Sequence, residues 1–401
     1  MDISEVLFVY LGPILYNLTF ISLWILWFIY HRDEENQGIK RLFKMYLRNN
    51  KWFYPITGIL IIIFLYFLLG YAIIHTDVDD AITSAVQAYL GRHPYLKSHN
   101  PYQEDVVKHY TISETEPVYG RYHYFPPDLL TYSFFYLIAG DFLFPLLDTY
   151  WFFPLHLILL FPGYWLITKL VDWPHHRLIP FSLLLITPFL FTNSMLMWFF
   201  FLIGYYFYET KEKHTLGMVF YVLAASVKYM VGFIILFYFF QTIQELYKEK
   251  EPSQNWQIIG NKLSPYIISS LVLTLLSLPF GFFDVITSVF IYQGDPQYRE
   301  EVAQAIGPLL IEVLKVANLK TLYLPIVGAI VILALLILIK QPTYDQIIHF
   351  SFLSMLILPF YATELFVTLP FFFWFKEGAK SFGNDSSMPK DNIDDFSSHP
   401  N

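Results

Sequence analysis

The sequence contains no cysteine among its 401 residues. Disulfide bonds, thiolate nucleophiles and cysteine-ligated metal centres are therefore excluded. Charged side chains are also scarce, because Asp, Glu, Lys and Arg together make up 14% of the chain. A typical soluble domain carries about 25% charged residues, so this scarcity argues against an ordinary soluble protein.

Several catalytic motifs are missing as well. The sequence has no glycine-rich phosphate-binding loop, no H-E-x-x-H and no G-x-S-x-G, so soluble nucleotide-handling and hydrolase domains are unsupported. No internal repeat is evident, whereas many transporters are built from inverted repeats. The first apolar run, 6–30, is long and follows no basic residue, so we expect a retained spanning helix rather than a cleaved signal peptide.

Apolar residues are abundant: they make up 56% of the chain, and aromatic residues alone make up 20%. Several runs lack charge over roughly 17 to 25 residues, which is enough to cross a bilayer core. The sequence therefore predicts an all-α, polytopic membrane helical bundle of about 11 transmembrane helices. The predicted spans are 6–30, 52–74, 128–147, 149–170, 178–192, 194–208, 215–244, 264–282, 322–340, 346–361 and 364–375.

The basic residues indicate an orientation in a cell membrane. Segment 32–51 holds six basic side chains against three acidic ones, and such loops stay in the cytoplasm. The N-terminus is then outside and the C-terminus cytoplasmic. Residues 1–377 form the transmembrane domain, and the polar tail 378–401 is expected to be disordered. Segment 215–244 is either one long tilted helix or is broken near Lys228, in which case another segment must be re-entrant.

Two external loops are predicted, 76–127 and 283–321, and each contains an amphipathic stretch. In the first, Ile82, Val86 and Tyr89 share one helical face. In the second, apolar residues at similar spacing lie opposite charged ones. Such helices lie in the membrane interface. The first loop holds most of the reactive side chains and is the candidate catalytic loop.

Three carboxylates stand at the beginning of this loop, in H-T-D-V-D-D at 75–80. Acidic residues at the end of a spanning helix are costly and often functional. Asp77 can serve as a general base, or with its neighbours it can hold Mg²⁺ or Mn²⁺. Asp79 and Asp80 have a second interpretation, since either can cap the following helix. No cofactor is required by the pattern, and Mg²⁺ or Mn²⁺ stays a candidate.

Cationic candidates lie in two places. The first is Y-G-R-Y-H-Y-F-P-P-D at 119–128, where Arg121 can clamp a phosphate and His123 can donate to one or move a proton; an aromatic interfacial belt is the alternative. The second is Lys228, which stands in a long apolar stretch. Intramembrane lysines are rare and mostly functional, unless the side chain reaches a nearby interface. Glu364 lies at an external helix end and can bind hydroxyl groups.

The arrangement resembles the GT-C glycosyltransferases, and most closely the polyprenol-phosphate-mannose-dependent branch known as glycosyltransferase family 87. The resemblance rests on an Asp after an early span, D-V-D-D-A-I-T-S-A-V-Q-A-Y-L-G-R-H-P-Y, Y-x-Y-F-P-P and A-A-S-V-K-Y-M-V. Asp77 stands 14 residues before Gly91, which fits the branch's Asp, amphipathic helix and Gly-x-x-Pro-Tyr. Where the branch would have a late histidine, this chain has Glu364.

The resemblance implies an integral membrane hexosyltransferase, with mannose the expected sugar. Its donor would be a polyprenyl-phosphate-linked sugar, its acceptor a glycolipid, glycan or protein on the external face, and its transfer inverting. The implied base is Asp77, with Asp79 as alternate, and the implied phosphate ligands are Arg121, His123 and Lys228. Sugar or acceptor contacts are assigned to Asp80, Tyr95, Tyr102, Tyr124 and Glu364. Membrane lipids are expected partners and nucleic acids are not.

Two other interpretations compete with this one. A transporter or flippase of a lipid-linked or small polar solute would use the same intramembrane charges as a permeation path. A non-catalytic subunit of a membrane complex would need none of them for chemistry.

Overall fold

The computed structural model describes helices in the middle of the chain. The described residues are 54–59, 62, 125–147, 151–171, 175–186, 194–228, 231–248, 256–294, 329 and 332. Within these ranges every regular element is helical and none is a strand, which confirms the all-α class for this part of the chain. The predicted spans 6–30, 346–361 and 364–375, most of 52–74, nearly all of 322–340, and the tail lie outside the described residues.

Eight α-helices lie between residues 126 and 294. A π-helical turn, Tyr206–Thr210, continues the fourth, and a 3₁₀ turn, Leu278–Phe280, continues the seventh. The helices are α1 (Pro126–Leu147), α2 (Phe153–Leu170), α3 (His175–Ile186), α4 (Ser194–Tyr205), α5 (His214–Val227), α6 (Val231–Lys248), α7 (Trp256–Ser277) and α8 (Phe282–Gly294). The first residues of the predicted loop 283–321 therefore belong to α8.

Two described helices are long and apolar enough to cross a bilayer, namely α2 and the continuous helix Trp256–Phe280. Apolar side chains are also exposed along single helix faces. On α1 the exposed side chains are Phe134, Leu137, Ile138, Phe142 and Leu146, each 66–71% exposed. On α7 and the turn after it they include Ile267, Leu271, Leu275 and Leu278. In water such stripes are unusual for a monomer, whereas lipid covers them without cost.

Helix α4 lies at the centre of the described bundle. Nine of its 12 residues are buried, as expected for a helix that is apolar on every side. Two glycines let it approach α5 closely. A Cβ atom at Gly204 would lie 2.9 Å from the Tyr221 ring and 3.1 Å from the Gly217 carbonyl oxygen. Small residues at such crossings are typical of helix packing in membranes.

The segment predicted as one span or two, 215–244, is broken. Helix α5 ends at Val227, Lys228 has extended backbone angles (φ −140°, ψ 114°), and α6 begins at Val231. The backbone N–H of Lys228 still donates to the carbonyl of Ala224 at 3.0 Å. Lys228 is thus the cap of a short helix rather than the middle of a long one.

The end of α5 remote from Lys228 is joined to α2 and α6 by the π-helical turn. Trp165 of α2 contacts Tyr206, with ring centroids 6.0 Å apart, and Tyr238 of α6 donates a hydrogen bond to Glu209. Since α5 has 14 residues, this turn lies about 20 Å from Lys228 along the helix axis. The described bundle therefore has a Lys228 end and a π-turn end.

Candidate functional site

The candidate site lies where α1 begins and α5 ends. The backbone N–H of Phe125 donates to the carbonyl oxygen of Ser226, with an N–O distance of 3.3 Å. Phe125 directly follows the R-Y-H-Y segment, and Lys228 lies two residues after Ser226. This hydrogen bond joins the residue before α1 to the last turn of α5, and the two residues are about 100 positions apart in the sequence.

The start of α1 has no backbone N–H group left for a ligand. The first four amides of a helix normally lack an intrahelical partner. Here the Phe125 N–H donates to Ser226, and the Asp128 N–H donates to the Phe125 carbonyl at 3.2 Å. Pro126 and Pro127 have no N–H to offer. Among the described residues, an anion at the start of α1 would therefore be held by side chains and not by the amides of this helix.

Lys228 is the described side chain suited to that task. It is half-buried and stands at the C-terminus of α5, where the helix dipole favours a positive charge. A lysine ammonium is a compact charge that binds phosphate as a point ion. The break in the helix therefore places a cation at one end of the bundle, beside the beginning of α1.

Asp128 is buried in the first turn of α1, with a relative exposure of 0%. Sequence reasoning included it in the Y-F-P-P-D segment without assigning it a role. The sequence does indicate its place in a helix, because an acidic residue directly after two prolines marks the first turn of a helix. The sequence does not show that the Asp128 side chain in this turn is completely buried.

A buried tyrosine–histidine pair lies next to Asp128. Tyr132 follows it by four residues and so shares its helix face, and the Tyr132 hydroxyl and His156 Nε2 are 2.8 Å apart. Both side chains have 0% exposure, and Trp151 and Phe152 pack edge-on against the Tyr132 ring. The pair connects α1 to the start of α2. His156 was also missed, because a lone histidine in an apolar run carries no specific signal.

Of the predicted site residues, Lys228 is the one that lies within the described residues. Arg121, His123 and Tyr124 lie outside them, although they directly precede Phe125 in the sequence. The remaining candidates also lie outside the described residues: Asp77, Asp79, Asp80, Tyr95, Tyr102 and Glu364. Their positions therefore stay predictions.

A second polar cluster lies at the π-turn end. The Tyr238 hydroxyl donates to Glu209, and the Tyr266 hydroxyl and Thr242 Oγ1 are hydrogen-bonded at 3.0 Å. The Tyr208 and Tyr238 rings are 4.6 Å apart, so the cluster is closely packed and leaves no room between these rings. We interpret it as a structural junction among the helices around α5.

Within the described ranges, no group of three or more His, Asp or Glu side chains is arranged to hold a metal ion. The predicted Mg²⁺ or Mn²⁺ ligands at 77–80 lie outside those ranges. When the chain is compared with protein-family models, with curated proteins and with solved structures, it matches none of them significantly. The assignment of function therefore rests on the residues and on the geometry above.

Proposed function

We propose that this chain is an integral membrane glycosyltransferase. It transfers a hexose, with mannose as the first candidate, from a polyprenyl-phosphate-linked donor to a glycolipid, glycan or protein acceptor. The transfer takes place on the external face and inverts the anomeric carbon. A transfer of this kind needs a base for the acceptor hydroxyl and cations for the departing phosphate.

The hydrogen bond from Phe125 to Ser226 is the observation that carries the proposal. It joins Phe125, which directly follows the segment containing Arg121 and His123 in the sequence, to the helix end containing Lys228. The backbone amides at the start of α1 are occupied or absent, so within the described residues the Lys228 ammonium is the group placed to hold a phosphate. The resemblance assigned phosphate binding to these same three residues, and the helix contact supports that assignment independently.

The exposed apolar stripes support a membrane location, and the charges support a sidedness. Lys211 and Lys213 follow the π-helical turn, Lys169 ends α2, and Lys262 pairs with Glu245 across α6 and α7 at 3.5 Å. All four lie toward the π-turn end. By the positive-inside rule that end faces the cytoplasm, which leaves the Lys228 end on the external side, where the predicted catalytic loop also lies.

In the proposed reaction, Asp77 accepts the proton of the acceptor hydroxyl, with Asp79 as alternate. The acceptor oxygen attacks the anomeric carbon, the bond from that carbon to the phosphate oxygen breaks, and the polyprenyl phosphate leaves with the bonding electrons. Arg121, His123 and Lys228 stabilise the leaving phosphate. Asp80, Tyr95, Tyr102, Tyr124 and Glu364 bind the sugar or the acceptor. A single base suffices for inversion.

The test is transfer by the purified full chain in lipid nanodiscs. Dolichyl- or undecaprenyl-phosphate mannose, glucose and arabinose are supplied with glycolipid acceptors, and product is measured with and without EDTA. Transfer by wild type, with a large loss in Lys228→Ala, supports the proposal. Absence of transfer from every donor, by protein that remains folded, contradicts it. The EDTA arm decides whether Mg²⁺ or Mn²⁺ takes part.

A transporter or flippase is the second candidate, and the break at Lys228 favours it. Discontinuous helices with charged or polar groups at the break are common in transporters. Reconstitution distinguishes the two functions, because a flippase moves a labelled polyprenyl-phosphate sugar across a vesicle bilayer without consuming it. A transferase consumes the donor and needs an acceptor.

A further inference from the structure

A fully buried carboxyl group in an apolar helix turn needs an explanation. Asp128 has 0% exposure, and so do Leu129 and Tyr132, which belong to the same stretch of α1. An unpaired carboxylate in such a place would cost several kcal/mol or become protonated, whereas a nearby cation offsets that cost.

Helix capping does not supply the reason. Acidic residues are common in the first turn because their oxygens accept hydrogen bonds from free backbone amides. At the start of α1 the Phe125 and Asp128 amides already donate to carbonyl oxygens, and the two prolines have no N–H. The carboxyl group of Asp128 is therefore not needed to satisfy the amides of Phe125 and Asp128.

Lys228 is the described cation at this junction. Phe125 and Ser226 are hydrogen-bonded to each other. Asp128 lies three residues after Phe125, and Lys228 lies two residues after Ser226. The buried His156 is bonded to the Tyr132 hydroxyl. We propose that Asp128 is a positioning residue that holds the Lys228 ammonium toward the donor phosphate.

The inference rests on the proposed function and deepens it. A lysine side chain has four rotatable bonds, so a fixed carboxylate restricts the directions its ammonium takes. Pairing with a single carboxylate also leaves the ammonium two further N–H donors. The pair would therefore present an oriented donor to the phosphate.

A kinetic double-mutant cycle tests the inference with polyprenyl-phosphate mannose as the probe. Asp128→Asn is expected to lower kcat/KM for the donor roughly tenfold or more, with the KM for the acceptor unchanged. Asp128→Asn combined with Lys228→Gln is expected to be no worse than Lys228→Gln alone. Asp128→Glu, which keeps the charge, is expected to restore most of the activity. If the losses in kcat/KM of the two single variants multiply in the double variant, the inference is overturned. It is also overturned if Asp128→Asn is non-additive with Arg121→Ala and additive with Lys228→Gln.

A stability cycle tests the same pair without any activity, so it stays informative if the proposed function fails. Removing one partner leaves a buried charge uncompensated, whereas removing both does not. The variant Asp128→Asn, Lys228→Gln is therefore expected to unfold at a higher temperature than Asp128→Asn, even if that single variant folds poorly. Tyr238→Phe is the control: it removes a buried hydrogen bond at the π-turn end, lowers stability and leaves donor kinetics unchanged. Additive losses across the stability cycle would overturn the pairing.

Discussion

Substitution of Gly217 by alanine tests the contact that holds the π-helical turn on α5. A Cβ atom at Gly217 would lie 2.6 Å from Tyr208 Cβ, 2.7 Å from its backbone nitrogen and 2.8 Å from its Cα. Two of these three atoms are backbone, so the helix and the turn must move apart. Overpacking of this severity costs about 3 kcal/mol, and the better helix propensity of alanine returns about 1 kcal/mol. The expected net destabilisation is then about 2 kcal/mol.

Gly260→Ala is the matched control, because nothing lies within 4 Å of a Cβ atom at Gly260. That residue lies in α7, so alanine is expected to stabilise by up to about 1 kcal/mol. The assay is thermal unfolding of the purified chain in nanodiscs, followed by tryptophan fluorescence at one fixed heating rate. Gly217→Ala should unfold several degrees below wild type and Gly260→Ala at or above it. An unchanged midpoint in Gly217→Ala would refute the close contact.

Other predictions concern the chemistry and the second cluster. Asp77→Asn is expected to lower kcat by roughly 100-fold or more without changing folding, while the exposed control Asp284→Asn keeps its activity; full activity in Asp77→Asn removes it as the base. Lys228→Ala and Arg121→Ala are expected to raise the KM for the donor more than the KM for the acceptor, and unchanged donor kinetics in both would exclude them from the phosphate site. Tyr238→Phe removes the hydroxyl that donates to Glu209 and should cost about 1–3 kcal/mol, whereas Tyr247→Phe, 88% exposed, should cost nothing measurable.

The positions of the long apolar helices were predictable from hydrophobic runs. Span 128–147 corresponds to α1, which begins two residues earlier because Pro126 and Pro127 fit the first turn of a helix. Span 149–170 corresponds to α2, which begins at Phe153 with a proline in its first turn. The length of an uncharged run is a property of the local sequence, so it does not depend on which helices pack against it.

The sequence leaves the break at Lys228 open. The run S-V-K-Y-M-V contains no proline, a glycine follows only at Gly232 within α6, and the apolar pattern continues into α6. In the structure the Ser226 carbonyl accepts a hydrogen bond from Phe125, a residue about 100 positions earlier. The sequence of the segment alone does not reveal a contact of that range.

The same reason explains the site residues that were missed. Asp128 follows two prolines and His156 lies in an apolar run, and neither belongs to a spaced motif. Their surroundings come from contacts between helices, such as the hydrogen bond between Tyr132 and His156. Sequence reasoning found Lys228 because a charge within a long apolar run is rare by itself.

The break also changes the expected topology, and the absence of cysteine makes that change measurable. If 215–244 crossed the bilayer once, residues 209–214 and 249–255 would face opposite sides. Because α5 ends at Val227 and α6 begins at Val231, residues 209–214 and the end of α6 at Lys248 lie toward the π-turn end instead. Single variants Lys213→Cys and Trp256→Cys, at exposed positions, should therefore react with an impermeant maleimide from the same side, the cytoplasm. Phe283→Cys, 80% exposed at the start of α8, should react from the external side. Labelling of Lys213→Cys and Trp256→Cys from opposite sides would refute the broken helix, and labelling of both from outside would invert the proposed orientation.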